Sequence, residues 1–298
     1  MTSVAVIAHA GKTLGGGLSE LRRQLKIHGV ADPEWFEVDK AKQAPDRVRR
    51  ALEHDPQLLI AWGGDGMVRR CASLLAGTSV DLGIVPAGSA NLFATNLGIP
   101  VDLERAVAIA VGDNRRACDL GTFGDERFTC FAGVGFDALL IRDADRLKNR
   151  IGKLGYLWGG AKNLRAPSFG AEVAIDGAPW FEGQVATILI GNVGSLFGGL
   201  TAFVDAEPDD GRLDVGVVTA EGVVQWARTL SSALRGAPER SPFVRMTQAR
   251  MIEVRADRKV RYELDGGDRG KVKRFEIGIE PLALNVRVPR QPDQEVAT

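Results

Sequence analysis

The sequence predicts an α/β domain followed by a β-rich domain of sandwich type. Three observations predict it. Over the first third of the chain, short apolar runs alternate with amphipathic segments, the pattern of a parallel sheet covered on both faces. Beyond Cys118, strand-like runs follow one another with turn residues between them, the pattern of antiparallel β structure. The length of 298 residues, with 45% apolar and 26% charged residues, suits two globular domains of ordinary size. The boundary falls near 115–120. The domains are read as 1–117 and 118–288, with 289–298 as a polar, flexible tail.

Residues 4–8 read as a buried strand and 18–27 as a helix. Residues 35–38 form a short strand. Residues 45–53 form a helix with Pro45 at its start, where the missing N–H is no loss. Strand 58–61 leads through a glycine turn into helix 68–75. Strand 81–85 leads into a second glycine-containing turn, and helix 103–111 completes the α/β part. Strands are then expected at 128–132, 170–175, 185–190, 213–218, 251–256, 260–264, 275–279 and 282–288, with helical segments at 137–164 and 222–234. There is no internal repeat.

Lysine plus arginine equals aspartate plus glutamate, 38 of each. That balance argues against a nucleic-acid binder, which needs a basic face. Cys71, Cys118 and Cys130 are odd in number and widely spaced, so neither a disulfide framework nor a zinc site is expected. The N-terminus lacks the basic and apolar regions of a signal peptide. No apolar run reaches the roughly 18 residues of a transmembrane segment. The expected location is cytoplasmic, with any membrane met from its surface.

The most informative stretch is Leu59-Ile60-Ala61-Trp62-Gly63-Gly64-Asp65-Gly66-Met67. An apolar strand stops at glycines and a helix follows at once. Such glycines let backbone N–H groups approach a phosphate, and the helix N-terminus favours an anion. Asp65 suits a Mg²⁺, a ribose hydroxyl or a substrate proton; a plain turn with an aspartate N-cap is the simpler alternative. Pro86-Ala87-Gly88-Ser89-Ala90-Asn91 repeats the design after the next strand, with the Ser89 hydroxyl and Asn91 amide as donors. Two such turns at neighbouring strand ends are a stronger signal than either alone. Ala10-Gly11-Lys12-Thr13 is no Walker loop, because the required glycine position holds Val6. Lys12 and Gly15–Gly17 form either a phosphate-facing loop or a flexible turn.

In the second part, Glu207-Pro208-Asp209-Asp210-Gly211-Arg212-Leu213-Asp214 carries acidic oxygens that suit a hard cation, although composition alone favours a polar turn. Asp265-Gly266 reads as a hairpin turn. The basic residues between Arg146 and Arg165 form a solvated helix face or an anionic-lipid contact. The glycine-rich stretch 195–203 lines a greasy pocket or belongs to the core.

In this order the motifs resemble the diacylglycerol kinase catalytic family, soluble bacterial lipid kinases related to sphingosine and ceramide kinases. The family pattern Gly-Gly-Asp-Gly-Thr, Pro-x-Gly-Thr-x-Asn, Gly-x-Gly-Phe-Asp, Asp-Gly-x-Leu-Asp, Asp-Gly-Glu appears at 63–67, 86–91, 133–137, 210–214 and 265–267. The resemblance implies an N-terminal α/β nucleotide-binding domain of the NAD-kinase and diacylglycerol-kinase kind, a β-rich lipid-substrate domain, and an active site in the cleft between them. It implies that Gly63, Gly64, Asp65, Gly66 and Met67, with Gly88, Ser89 and Asn91, bind ATP and its Mg²⁺. It implies a second Mg²⁺ on Glu207, Asp210 and the Arg212 carbonyl.

The chain departs from the pattern at Met67 for threonine, Arg69 for asparagine and Leu92 for aspartate. Gly267 stands in place of the glutamate that would deprotonate the lipid hydroxyl. Asp268, Asp265 or Asp65 then carries that role, with Asp268 first by proximity. The expected activity is ATP- and Mg²⁺-dependent phosphorylation of diacylglycerol or a similar long-chain lipid at the bilayer surface. An NAD kinase and a nucleotide- or lipid-binding pseudokinase are the alternatives. The sequence leaves open which lipid is the acceptor and whether the chain forms a homodimer.

Overall fold

The computed structural model describes residues 3–135, 168–196 and 200–290. The chain divides into two compact units, one of residues 1–118 with 282–298 and one of residues 119–281.

In the first unit β1 (Val4–His9), β2 (Glu34–Val38), β3 (Leu58–Gly63) and β4 (Asp81–Pro86) lie parallel in the order β4-β3-β1-β2. Ala5 to Ala8 and Leu59 to Trp62 are wholly buried, as unalternating apolar strands covered on both faces must be. The helices are α1 (Gly17–Ile27), α2 (Ala44–Leu52), α3 (Asp65–Leu75), the short α4 (Leu92–Asn96) and α5 (Leu103–Val111). α1 buries Leu21 and Leu25, four residues apart, and α5 buries Leu103, Ala106, Val107 and Ala110. The Asp102 carboxylate caps α5 by accepting the Arg105 N–H at 2.9 Å. Burial pushes the Cys71 thiol on α3 up to about 12, so this cysteine packs rather than reacts.

Residues 282–290 also belong to the first unit. Val286 pairs in parallel with Leu82 on β4, and the Asn114 side-chain amide donates to the Val288 and Pro289 carbonyls. The Arg287 guanidinium meets the buried Asp81 carboxylate at 2.8 Å and donates to the Gly112 carbonyl. The more exposed Arg115 stands 3.5 Å from the same carboxylate. Arg287→Ala leaves Asp81 buried with only that longer contact. We expect a loss of about 3 kcal/mol, read as a lower denaturant midpoint.

The second unit is β-rich. It is entered by β5 (Arg115–Phe123) and holds β6 (Glu126–Phe128), β7 (Phe131–Gly135), β8 (Phe169–Ile175), β9 (Ala178–Val185), β10 (Thr187–Gly191), β11 (Leu213–Val218), helix α6 (Gly222–Leu234) and β12 (Val244–Ala249). Two long strands follow, β13 (Met251–Leu264) and β14 (Gly267–Arg287). The antiparallel path runs β12-β11-β10-β7-β13-β14. The first half of β13 pairs with β8 and its last residues with β7, so one strand serves two sets of neighbours. Inward side chains including Phe128, Phe169, Ile188, Val215, Ile252 and Ile277 make the core. Phe123 stacks on Tyr262 at 4.5 Å and on Phe275 at 5.0 Å.

Several expectations need correction. The strand expected at 128–132 is broken at Thr129 and Cys130, whose N–H groups turn to the Asp265 carboxylate. β5, β9 and β12 had no counterpart in the sequence reading. The strands expected at 251–256 and 260–264 are one strand, β13, with a register irregularity between Arg255 and Val260. Those expected at 275–279 and 282–288 are likewise continuous in β14, passing through Leu282 at φ 50. By packing, residues 282–288 cluster with the first unit. Helix 137–164 and most of the tail lie outside the described residues.

Candidate active site

In the first unit β3 ends at Gly63, Gly64 caps α3, and Asp65 is the first helical residue. The N-cap is therefore the glycine and not the aspartate. The register Gly63↔Pro86 sets the second turn directly beside the first. The two turns touch through bare backbone. A Cβ on Gly64 would stand 2.9 Å from the Gly88 Cα, and one on Gly88 would stand 2.5 Å from the Gly64 Cα. Only glycine fits at either place.

Asn91 sits at φ 51 and is nearly fully buried. Its Oδ1 accepts the Gly88 N–H at 2.8 Å and its Nδ2 donates to the Gly88 carbonyl at 2.9 Å. Both polar atoms of its amide thus hold the turn. Ser89 is exposed at the tip. The half-buried Asp65 accepts the Phe93 N–H at 3.4 Å, which ties α3 to α4.

Met67 behaves otherwise than expected of a nucleotide contact. Its side chain is 1% exposed and lies under Gly63, where a Cβ would stand 2.7 Å from the Met67 Cβ. Its N–H donates to the Gly64 carbonyl at 2.8 Å. Arg69 and Leu92 are also buried. The basic side chain at the turn is Arg70, whose guanidinium donates to the Gly66 carbonyl at 2.6 Å.

In the second unit Asp265 takes φ 48 at the β13–β14 turn. Its Oδ1 accepts the N–H groups of Cys130 at 2.8 Å and Phe131 at 3.0 Å. Its Oδ2 accepts the Thr129 N–H at 2.8 Å and hydroxyl at 3.0 Å. Both oxygens are occupied by a clamp on residues 129–131. The Asp268 Oδ2 accepts from the Arg261 guanidinium at 2.7 Å, and its Oδ1 accepts the Gly270 N–H at 3.1 Å. The wholly buried Glu263 accepts the Gly266 N–H on Oε2.

The acidic turn 207–214 is propped from beneath by Asp119, which the sequence reading missed. Asp119 is wholly buried. Its carboxylate accepts the Gly211 N–H at 2.7 Å, its N–H donates to the Pro208 carbonyl, and its carbonyl accepts the Asn192 side-chain amide at 2.9 Å. The signal was an acid between the apolar residues Cys118 and Leu120. Asp210 is exposed and accepts the Arg212 N–H at 2.8 Å. Gln248 Nε2 bridges Asp210 and Asp214 at 3.5 Å each. Burial pushes the Asp214 carboxyl up to about 6; the Gln248 bond pulls it down, and Asp210 and Asp205 push it up. Among the described residues, no three histidine, cysteine, aspartate or glutamate side chains are placed to hold a metal ion.

Phe136 and Asp137 of the third motif and the basic residues between Arg146 and Arg165 lie outside the described residues. Of the stretch 195–203, Ala202 and Phe203 are core, with the Phe203 ring against Gly191. An open groove of about 1030 Å³ on the second unit, flanked by Trp180, Phe181 and Arg245, contains no sequence-predicted site residue.

The chain is similar to known proteins along nearly its whole length. Residues 4–123 match the diacylglycerol kinase catalytic domain, and residues 131–288 match the YegS C-terminal NAD kinase beta sandwich-like domain. A protein of Enterobacter sp. (strain 638) named a probable YegS-like lipid kinase is 30% identical over 94% of each chain. A protein of Mycobacterium tuberculosis (strain ATCC 25618 / H37Rv) named diacylglycerol kinase is 29% identical over 90% of this chain and 88% of its own. A solved structure of a diacylglycerol kinase from Bacillus anthracis str. Sterne superposes with a TM-score of 0.79 at 22% identity, covering 98% of both chains. An NAD kinase from Archaeoglobus fulgidus, solved in complex with ATP, gives 0.55 at 12% identity over 96% and 93%. The two structural likenesses speak to the fold.

Proposed function

The chain belongs to the diacylglycerol kinase and YegS-like lipid kinase family, and on that premise we propose that it transfers the γ-phosphoryl group of ATP to a hydroxyl of diacylglycerol or a similar long-chain lipid. The family makes it a kinase with an alcohol acceptor; the nucleotide, the cation and the lipid are our reading. The carrying observation is the backbone contact of the turns at Gly64 and Gly88 at adjacent strand ends. It puts two sets of N–H groups and the α3 N-terminus at one edge of a parallel sheet, where phosphates bind.

In this reading Gly63, Gly64, Gly66 and Gly88 give the phosphates a surface without side chains, and Ser89 adds a hydroxyl. Asn91 acts one step removed, by fixing the Gly88 peptide. The γ-phosphorus bond to the ADP oxygen breaks, the bond to the lipid oxygen forms, and the hydroxyl proton passes to a carboxylate or to water. Phosphoryl transfer asks mainly for positioning and charge neutralisation. Mg²⁺, when bound, supplies that neutralisation on the phosphates.

The donors at the acidic turn are hard oxygens, and the crowding of Asp205, Asp210 and Asp214 favours a cation there. Mg²⁺ commonly binds through one or two carboxylates and keeps several waters, so a hydrated ion fits without a cage of three acids. Asp210 would hold it with Glu207 and the Arg212 carbonyl.

For the catalytic carboxylate we favour Asp65, because as the first residue of α3 it stands within the glycine turn itself. The Asp265 oxygens are spent on the 129–131 clamp, and Asp268 is paired with Arg261. Asp268→Asn should therefore keep kcat within about threefold of the parent, whereas loss of a general base costs about 10²–10⁴-fold. Initial-rate kinetics decide it. The acceptor is tested by offering diacylglycerol in mixed micelles and NAD in buffer with labelled ATP. Label in the lipid supports this reading, and label in NAD alone overturns it.

A further inference from the structure

Helix α6 has two unlike sides. Toward its own unit it buries Trp226 and Thr229; Trp226 packs with Ala220, Val218 and Phe243, and the Thr229 hydroxyl lies 3.0 Å from that of Ser241. Much of its remaining surface is apolar and exposed. Val223 is 63% exposed, Val224 69% and Leu234 55%. Ala227 is exposed and Leu230 half-buried. At about 100° per residue, Val223, Ala227, Leu230 and Leu234 form one stripe along the helix. Arg228 and Arg235, both exposed, lie close together about 110–130° round the helix from that stripe, beyond Ser231 and Val224. They are the only charged residues between Gly222 and Arg235.

An apolar stripe flanked by two arginines, with a single exposed acid, Glu221, at the N-cap, suits a helix lying in the plane of a bilayer surface. The apolar side chains enter the acyl boundary, while the arginines reach up to anionic headgroups. A second protein copy fits less well. A 13-residue helix is about 20 Å long, so its stripe offers a few hundred Å² at most, against the roughly 800 Å² that each partner of a standard interface buries. No helix among the described residues is long and apolar enough to cross a membrane, so attachment through α6 would be peripheral.

We propose that α6 is the element by which this protein docks on an anionic lipid bilayer, with Val223, Val224 and Leu234 inserted and Arg228 and Arg235 on the headgroup phosphates. The proposal rests on the lipid-kinase reading only for its biological sense, and its test does not use catalysis. Cys71, Cys118 and Cys130 are all buried, so Ala227→Cys in the full chain can be labelled selectively with a polarity-sensitive fluorophore. The label should shift to the blue with phosphatidylcholine vesicles containing phosphatidylglycerol and respond weakly to phosphatidylcholine alone.

In flotation assays Arg228→Gln and Arg235→Gln should each lower binding to anionic vesicles about fivefold, and the double variant carrying both should lower it further. The pair Val223→Ser and Leu234→Ser should lower it at least about tenfold. Both double variants should keep the parental thermal midpoint and far-UV circular dichroism, which shows that they fold. A label that stays unshifted, vesicle binding unchanged in both double variants, or a parental dimer that the serine pair dissociates would overturn the proposal. Lack of lipid kinase activity with intact α6-dependent binding would overturn the functional reading and leave this one standing.

Discussion

Replacing Gly88 with alanine should remove the ATP binding proposed above, and with it phosphoryl transfer. The added Cβ would stand 2.5 Å from the Gly64 Cα and 2.8 Å from the Asn91 Oδ1. The first neighbour is backbone and cannot turn aside; the second is a buried amide already holding the Gly88 N–H and carbonyl. The turns must therefore part. Overpacking of this kind costs about 1–3 kcal/mol of stability. The functional loss is greater, because a displacement of about 1 Å in a positioned site costs about 100-fold. We expect kcat/KM to fall at least about 100-fold and the thermal shift given by ATP with Mg²⁺ to vanish. Ser89→Ala, at the exposed tip of the same turn, should lose far less. Equal losses in the two variants would mean that the backbone contact is not what the site depends on.

Asp265 carries the second large effect. A carboxylate that accepts four donors from residues 129–131 is a structural clamp, and hydrogen bonds to a charged group contribute about 1.5–3 kcal/mol each before they share one acceptor. Asp265→Ala strips the acceptors from three backbone N–H groups and places alanine at φ 48, a conformation it disfavours. We expect a loss of about 3–5 kcal/mol, measured by denaturant unfolding. Asp265→Asn keeps one carbonyl acceptor and suits the left-handed backbone, so it should lose about half as much. A residue serving only as a proton acceptor would behave differently: both variants would be inactive yet as stable as the parent.

The sequence was most legible where structure is local. The run ending at Gly63, the second turn at Gly88 and helices 103–111 and 222–234 follow from apolar periodicity and from glycine at the strand ends. β5 was missed because Arg115, Arg116 and Asp119 interrupt its apolar pattern. β9 was missed because Pro179 and Gly183 weaken a strand reading. β13 read as two strands because the charged run from Arg255 to Lys259 mimics a turn, although its backbone stays extended.

The remaining gaps are matters of tertiary structure. Asp265 looks like a hairpin turn, and nothing near it reports that its carboxylate holds a segment more than a hundred positions earlier. Asn91 looks like a ligand donor until both ends of its amide are found on Gly88. Residues 282–290 carry no local sign that they complete the first unit; that follows from Val286 beside Leu82 and Arg287 against Asp81.

The most direct measurement is transfer of label from γ-labelled ATP to diacylglycerol in mixed micelles with Mg²⁺, by the parent chain and by Asp65→Asn. Both proteins are first shown to be folded and to bind ATP. The predicted result is labelled lipid from the parent and at least about a 100-fold lower rate from the variant. Equal label from both would remove Asp65 from the chemistry. No label from a folded, ATP-binding parent, with diacylglycerol or with sphingosine, ceramide or monoacylglycerol in its place, would contradict the lipid-kinase reading.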